Sequence, residues 1–343
     1  MEFLVSTTIS FLITISTIPL TIFLAKKYKL MDNPRIRPHP AHTQTRTVPR
    51  AGGLAIFLGL FFSILIFIPL GRTVIGILSG ISILLFIGLL DDKYHNLSPY
   101  LRLLGQFIAA LFLVLSEVGI NFITNPIGGI LILNTFPYLP EILSLLWIVW
   151  VMNMINWSKG VDGQMPGIVT VSAFILGLLS IKLNLPEVAK LSFITSGTSL
   201  GLLIFNWHPA KIFPGFSGST ILGFMIAVLA ILSGAKLATA LLVLLIPATD
   251  FVYTFLRRII QRKSPVWGDK GHLHHKLLEQ GFSHQQISLF YILGSVILGT
   301  VALNFSSQGK IFAASLVALI LLGIILWLNF FGDLSKQSDQ DNG

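Results

Sequence analysis

The 343-residue chain reads as an all-α polytopic membrane protein, and three observations lead there. The composition is 54% hydrophobic and 11% charged, with a mean hydropathy of +0.83, whereas soluble domains carry about 25% charge. Eleven apolar runs follow one another, and a spanning helix needs about 20 mostly apolar residues, or about 17 at the short end. The clustered polar residues fall in the odd-numbered gaps between those runs: Asp91-Asp92, Asn153 to Asp162, Asn206 to Ser219 and Gly268 to His275. If every run crosses a bilayer, odd gaps share one face. One site assembled from several loops accounts for that pattern.

The runs lie at approximately 3–24, 52–70, 73–90, 101–119, 141–155, 168–183, 187–205, 219–233, 236–255, 286–305 and 310–331. The first is expected to be a span and not a cleavable signal, because no basic stretch precedes it and Lys26-Lys27 follow it. The fifth, sixth and eighth are short and are expected to extend into their flanks. Gap 4, Ile120 to Pro140, sets Gly128-Gly129 between β-prone stretches, the pattern of an outer hairpin. A single membrane domain is expected over 1–331, with 332–343 as a disordered tail. The absence of cysteine excludes disulfides and thiolate metal sites.

The net charge of +9 is unevenly placed. Eighteen of the 23 Lys and Arg residues fall in odd gaps or the tail; the even gaps hold only Arg72, Lys182, Lys190, Lys236 and Lys310. Excess Lys and Arg in short loops marks the cytoplasmic side. The N-terminus is therefore expected outside, with the C-terminus and the polar loops in the cytoplasm. A pI near 9.8 then follows from topology and anionic lipid, with no need for nucleic acid.

Gap 3, GLLDDKYHNLSPYLRLLGQ, ends an apolar run with Asp91-Asp92. A helix dipole disfavours carboxylates at its C-terminus, and adjacent carboxylates repel unless a cation sits between them. A site role therefore outweighs two solvated residues at a helix end. In gap 5, NMINWSKGVDGQMPG, Asn153 and Asn156 share a helix face. Buried amides need partners, and a polar ligand would supply them; an ordinary Asn/Gly turn explains one Asn but not two. Asp162-Gly163 and Pro166-Gly167 then break the helix into a compact loop.

Gap 7, NWHPAKIFPGFSGST, joins Lys211 to a Gly/Ser turn containing Ser217. Backbone N–H groups opening a helix can cradle phosphate, although such turns are common without a ligand. Gap 9, SPVWGDKGHLHHKLLEQGFSHQQ, packs His272, His274 and His275 behind Asp269 and Lys270. The spacing is not that of a zinc-binding HExxH; the histidines can instead grip phosphate or a nucleobase, while His284 reads as decoration. In gap 1, Arg46 and Arg50 are either phosphate contacts or topology-setting charge. Asp250, an acid within the ninth run, is a functional candidate by position.

Taken together, these motifs resemble one family across nearly the whole chain, the polyprenyl-phosphate N-acetylhexosamine-1-phosphate transferases. VPRAGGLAIFLG, GLLDDKYHNLSPYLRLLGQ, the Asn-x-x-Asn loop ending in Asp162-Gly163, HPAKIF with its Gly-x-x-Gly-Ser turn, and GDKGHLHHKLLEQGFS match in order and spacing. The GHLHH form looks more like the branch that initiates wall teichoic acid or O-antigen than the branch transferring phospho-MurNAc-pentapeptide. The resemblance implies transfer of a sugar-1-phosphate from a UDP-N-acetylhexosamine to polyprenyl (undecaprenyl) phosphate at the cytoplasmic face, releasing UMP and starting a cell-envelope polysaccharide. It implies Asp91, Asp92 and Asp162 as catalytic residues, with Mg²⁺ on Asp91 and Asp92. Around the substrates it implies Asn153, Asn156, His272, His274 and His275, and the residues' own chemistry adds Arg46, Arg50, Lys159, Lys211, Ser217 and Asp250 as substrate-binding candidates. Its partners are the nucleotide sugar, the lipid phosphate and membrane lipid; a homodimer is compatible with it.

Two positions depart from the family pattern. Lys159 stands where the first acid of Asp-Gly-x-Asp-Gly is usual, and Phe216 where Met-Gly-Asp carries a Mg²⁺-binding acid. The site is three charges more positive for it, so Lys159 is expected to bring the charge that Mg²⁺ otherwise supplies. Loss of catalysis with retained binding is the rival expectation. A transporter is the alternative from another class, but transporters place ionisable groups near the midplane. Here Asp250 lies toward the inner end of its run and Glu117 toward the outer end.

Overall fold

The computed structural model describes residues 1–35, 43–94, 97–125, 129–234, 236–264 and 270–330. Every apolar run is helical. The first half holds α1 (Glu2–Lys27), β1 (Met31–Asp32), β2 (Val48–Pro49), α2 (Gly52–Phe67), α3 (Arg72–Tyr94) and α4 (Pro99–Val114). The hairpin of gap 4 is present as antiparallel β3 (Phe122–Thr124) and β4 (Ile130–Ile132), with Gly129 at φ +78° beside the turn. Gly128, Gly268, Asp269 and the 332–343 tail lie outside the described residues.

The chain continues through α5 (Leu139–Trp157), α6 (Gln164–Lys182), α7 (Pro186–Asn206), α8 (Gly215–Leu232), α9 (Leu237–Val243) and α10 (Leu245–Ile260). It ends with α11 (Leu273–Glu279), α12 (His284–Asn304) and α13 (Ser307–Phe330). The fifth, sixth and eighth runs extend into their flanks as expected.

The ninth run departs from the expectation of one continuous span: α9 and α10 are bent by 86° about Leu244. Pro247 explains the break, because it has no N–H for the Val243 carbonyl and its ring clashes there. The helix restarts so that Pro247 falls in the first turn of α10, where no donor is missed. Among the described residues, eight helices are long and apolar enough to cross a membrane, and the count is nine if the bent pair forms one broken span. α2 and α4 are apolar but span 16 residues each.

α8 is the axis of the bundle. Of its apolar window 94% is buried, against 17% for α13, and α2, α3, α5, α6 and α7 surround it. α1 lies along α7 through a stripe of small residues including Ser6, Ser10, Thr14 and Thr21. Thr14 donates to the Ser10 carbonyl at 2.8 Å and Thr21 to the Thr17 carbonyl at 3.0 Å, so these hydroxyls are satisfied in the seam. A Cβ on Gly197 would stand 2.3 Å from the Thr7 carbonyl oxygen. Lipid is as apolar as leucine, so close contact between small residues is what holds such helices together. Phe86, Ile297 and Leu319 stay 67%, 64% and 68% exposed, which suits an outer surface facing acyl chains.

Gly197→Val is therefore expected to force α1 off α7 and cost about 1–3 kcal/mol. Thermal unfolding in detergent checks this, with Gly323→Val as the control, because nothing lies within 4 Å of a Cβ at Gly323.

Candidate functional site

The site begins where α2 and α8 start and α3 ends. A Cβ on Gly88 would lie 2.3 Å from Ser217 Cα, and one on Gly53 2.1 Å from Ser217 Oγ. Gly215 has φ +72°, and a Cβ there would stand 2.3 Å from Asp92 Oδ2. Glycine alone satisfies both that backbone angle and that space. These contacts bring Asp91 and Asp92, in the last turn of α3 and both 0% exposed, against the α8 turn.

The two acids have different surroundings. Asp92 accepts from Phe216 N at 2.7 Å, Ser217 N at 3.2 Å, Ser217 Oγ at 2.6 Å and Arg50 Nε at 3.0 Å. It caps α8 from another helix, meeting N–H groups that have no intrahelical acceptor and favour negative charge. The phosphate cradle expected at Ser217 is thus already filled by a carboxylate. Asp91 has Arg102 Nη2 at 2.7 Å and Arg50 Nη2 at 3.6 Å, yet neither of its buried oxygens receives an aligned hydrogen bond. Arg50 is the cation between the acids. Arg102 enters from the first turn of α4; sequence reasoning counted it only as topology-setting charge, although it is the one cation opening the helix that follows the acids.

The loop after α5 supplies the third cation. Lys159 Nζ donates to Asn156 Oδ1 at 2.6 Å, to the Gly215 carbonyl at 3.2 Å and to Ser219 Oγ at 3.4 Å. Its ammonium and the Arg102 guanidinium lie 5.8 and 5.5 Å from the Phe216 ring centroid, within cation–π range. Burial first, and then Arg50, bring the Lys159 pKa down to about 7, against the pull of Asp92 and Asp91. Asn153 does not wait for a ligand, because its Nδ2 donates to Gln106 Oε1 at 2.7 Å.

A second cluster forms around Asp162. Its Oδ2 lies 2.8 Å from His208 Nδ1 and accepts from Ala210 N at 3.0 Å; Arg46 Nη2 is 3.9 Å away. His284, expected as decoration, stacks on His208 at 4.6 Å, and its Nδ1 accepts from Asp162 N at 3.4 Å. The reason is the capping box of Ser283 and Gln286, which starts α12 beneath this loop. Ligand atoms of Asp162, His208 and His284 lie within 4.8 Å of one another, close enough to share a metal ion.

A third cluster ties down the histidine loop. Asp250 Oδ1 accepts from Leu273 N at 2.8 Å, and Oδ2 lies 3.0 Å from His272 Nδ1. Both oxygens of Asp250 therefore hold gap 9 in place. Arg258 Nη2 is 3.5 Å from His272 Nε2; a guanidinium only donates, so Nε2 accepts and Nδ1 carries the proton. The Trp157 ring lies 4.7 Å beneath Arg258 and 5.4 Å from His272. His274 abuts Gly160, where a Cβ would meet its Nε2 at 2.1 Å. Burial, then neighbouring histidines, hold His274 well below 6.5 and bring His275 to about 4, so both are neutral at pH 7. Lys211 stands apart, exposed, with its ammonium 5.8 Å from the Phe205 ring centroid.

The expected Mg²⁺ on the acid pair meets an unsuitable donor set. Mg²⁺ takes a near-octahedral set of oxygens, usually one or two carboxylates from the protein with water and substrate phosphates completing it, so the carboxylates decide the fit. Asp92 has spent its oxygens, and Asp91 alone keeps lone pairs without hydrogen bonds. The Arg102 and Arg50 guanidiniums face Asp91, and Lys159 and the Phe216 ring close the same pocket. The pair does not fit a shared magnesium ion.

Fold and site together define a polytopic helical membrane protein with one composite polar site, built from loops that meet at one end of its bundle. The family model described as glycosyl transferase family 4 matches residues 74–234, which carry α3 to α8 with the acid pair, Lys159 and the α8 turn. The chain is 30% identical to the decaprenyl-phosphate N-acetylglucosaminephosphotransferase of Mycobacterium leprae, over 88% of this chain and 83% of the relative. It is 27% identical to a probable undecaprenyl-phosphate N-acetylglucosaminyl 1-phosphate transferase of Bacillus subtilis, over 96% and 89%. It is 28% identical to the undecaprenyl-phosphate alpha-N-acetylglucosaminyl 1-phosphate transferase of Escherichia coli K12, over 84% and 83%. The chain belongs to glycosyl transferase family 4.

The unequal acids make a test. Asp92→Ala strands two N–H groups and Arg50, and is expected to cost about 3–5 kcal/mol. Asp91→Asn keeps an oxygen facing Arg102 and breaks no aligned hydrogen bond, so losing its ion pairs is expected to lower the unfolding midpoint clearly less than Asp92→Ala does. Equal losses of thermal stability would refute the division.

Proposed function

We propose that the protein transfers N-acetylglucosamine-1-phosphate from UDP-N-acetylglucosamine to polyprenyl phosphate at the cytoplasmic face of the plasma membrane, releasing UMP. The observation that carries this reading is Asp91: a buried carboxylate with no aligned hydrogen bond, held among Arg50, Arg102 and Lys159. A phosphoryl-transfer site needs positioned positive charge and a proton acceptor more than covalent chemistry. The names of the relatives support the substrate class. The basic odd-numbered gaps support the sidedness.

In the step itself, an oxygen of the lipid phosphate bonds to the donor phosphorus that carries the sugar. The bond from that phosphorus to the bridging oxygen breaks, and the oxygen leaves with UMP. Asp91 takes the proton of a protonated acceptor phosphate. Arg102 and Lys159 face the charge on the transferred group. Asp162, Arg46 and His208 shape the nucleotide-sugar side, with His272, His274 and His275 closing over the diphosphate. Asp92 and Asp250 act by position, one on the α8 turn and the other on the histidine loop. Asn153, bonded to Gln106, braces α5 against α4. One copy of the chain supplies every group in this reading; a homodimer finds no support.

Purified protein given UDP-N-acetylglucosamine and undecaprenyl phosphate is expected to release UMP and yield the lipid-linked diphosphate sugar by mass spectrometry. Absence of UMP, with nucleotide or lipid still bound, would favour the non-catalytic rival. Asp91→Asn is expected to lower kcat by about 10²–10⁴-fold while the protein stays folded. The pH dependence has a definite sign. Lys159, faced by Arg50, Arg102, Asp91 and Asp92, is charged below about 7. Because kcat/KM reports the free enzyme, it is expected to fall as pH rises through that value. Lys159→Arg is expected to move the alkaline limb upward; an unmoved limb assigns it to another group.

A further inference from the structure

Three cations gather around Asp91 and Asp92, with Asp32 acting on Arg50 as a third carboxylate. Arg50 lies 3.6 Å from Asp91 and 3.0 Å from Asp92, and Arg102 lies 2.7 Å from Asp91. Lys159 is held at three points, by Asn156, the Gly215 carbonyl and Ser219. A divalent cation in the same space would find only the Asp91 carboxylate, whose two oxygens already face the Arg50 and Arg102 guanidiniums. The four bonds to Asp92 use its oxygens, Asn156 Oδ1 already accepts from Lys159 and Ser219, and the Phe216 ring offers no lone pair.

We infer that the site around Asp91 takes no divalent cation, and that Lys159 and Arg102, seated beside the Phe216 ring, supply the positive charge that two phosphates need to meet. This deepens the phosphoryl-transfer reading above and rests on it. An ammonium is a weaker electrophile than Mg²⁺ and does not bridge two oxygens as rigidly. The three-point tether of Lys159 answers the second deficit by fixing where the charge sits. Arg102 answers part of the first with a planar set of donors suited to phosphate oxygens. The bonds made and broken are those already written for the transfer, with Asp91 as proton acceptor and no further reactant.

Two readouts test this. UMP release by chelator-treated wild type, in excess EDTA, is expected to stay within about twofold of the rate with Mg²⁺. Lys159→Ala is expected to lose about 100-fold or more, the size of effect seen when one transition-state charge partner is removed, and Lys159→Arg to regain part of it. Independently, Mn²⁺ titrated into the purified protein and followed by electron paramagnetic resonance is expected to show no bound ion that depends on Asp91. The His284→Ala protein serves here because Asp162, His208 and His284 can hold an ion of their own. A Mn²⁺ signal kept in His284→Ala and lost in Asp91→Asn overturns the inference, as does a rate that collapses in EDTA and returns with Mg²⁺. If no UMP appears under any condition, the transferase reading fails, and the Mn²⁺ titration alone decides the cation question.

Discussion

The carboxylate of Asp92, bonded to the first N–H groups of α8, holds the site in one piece. α8 is the most enclosed helix of the bundle, and its beginning lies among buried residues where neither water nor lipid can satisfy its free donors. A side chain from α3 therefore does so. That bond needs α3, α2 and α8 closer than side chains allow, hence the bare faces at Gly53 and Gly88 and the left-handed Gly215. It also needs the carboxylate balanced, hence Arg50 on Asp92 Oδ1. The same guanidinium then reaches toward Asp91, so the cap that organises the helix also stations the neighbouring acid.

Adjacent residues on a helix point about 100° apart, and that small fact divides the work between the two aspartates. Asp92 faces α8 and is consumed by it. Asp91 faces α4 and the loop after α5, where it meets charges but no aligned hydrogen bond. The departures at 159 and 216 fall on this second side. An ammonium and an aromatic ring stand there with Arg102 beside them, a combination whose positive charge is covalently attached. Meanwhile Asp250 plays the Asp92 role a second time, accepting from Leu273 N and from His272 to fasten the histidine loop. Two acids thus serve as anchors so that their neighbours can be presented.

Much of this was legible in the chain because a helix crossing lipid has to be apolar along its length, and the eleven runs declared themselves on that ground. The parity of the polar gaps anticipated that distant loops would meet, and Gly53, Gly88, Ser217 and Lys159 do meet. The gap-4 hairpin was readable from its glycines and β-prone flanks. What stayed hidden was direction. Sequence adjacency made Asp91 and Asp92 look like equals, and nothing local showed that one was spoken for. The partner of Asn153 is Gln106, 47 residues earlier, beyond the reach of periodicity. The bend at Leu244 had a visible cause in Pro247, outweighed in the reading by unbroken hydrophobicity. His284 looked idle because its partners come from two loops folded back over the start of α12.

The short segment from Trp157 to Asp162 touches everything. Trp157 lies under Arg258 and beside His272, Lys159 sits in the acid pocket, Gly160 abuts His274, and Asp162 holds His208. Six residues of backbone cannot shift at one of these stations without being felt at the others. The acid pocket, the histidine loop and the Asp162 cluster thus hang on one backbone segment, so a shift imposed on it at any one of them is carried to the other two.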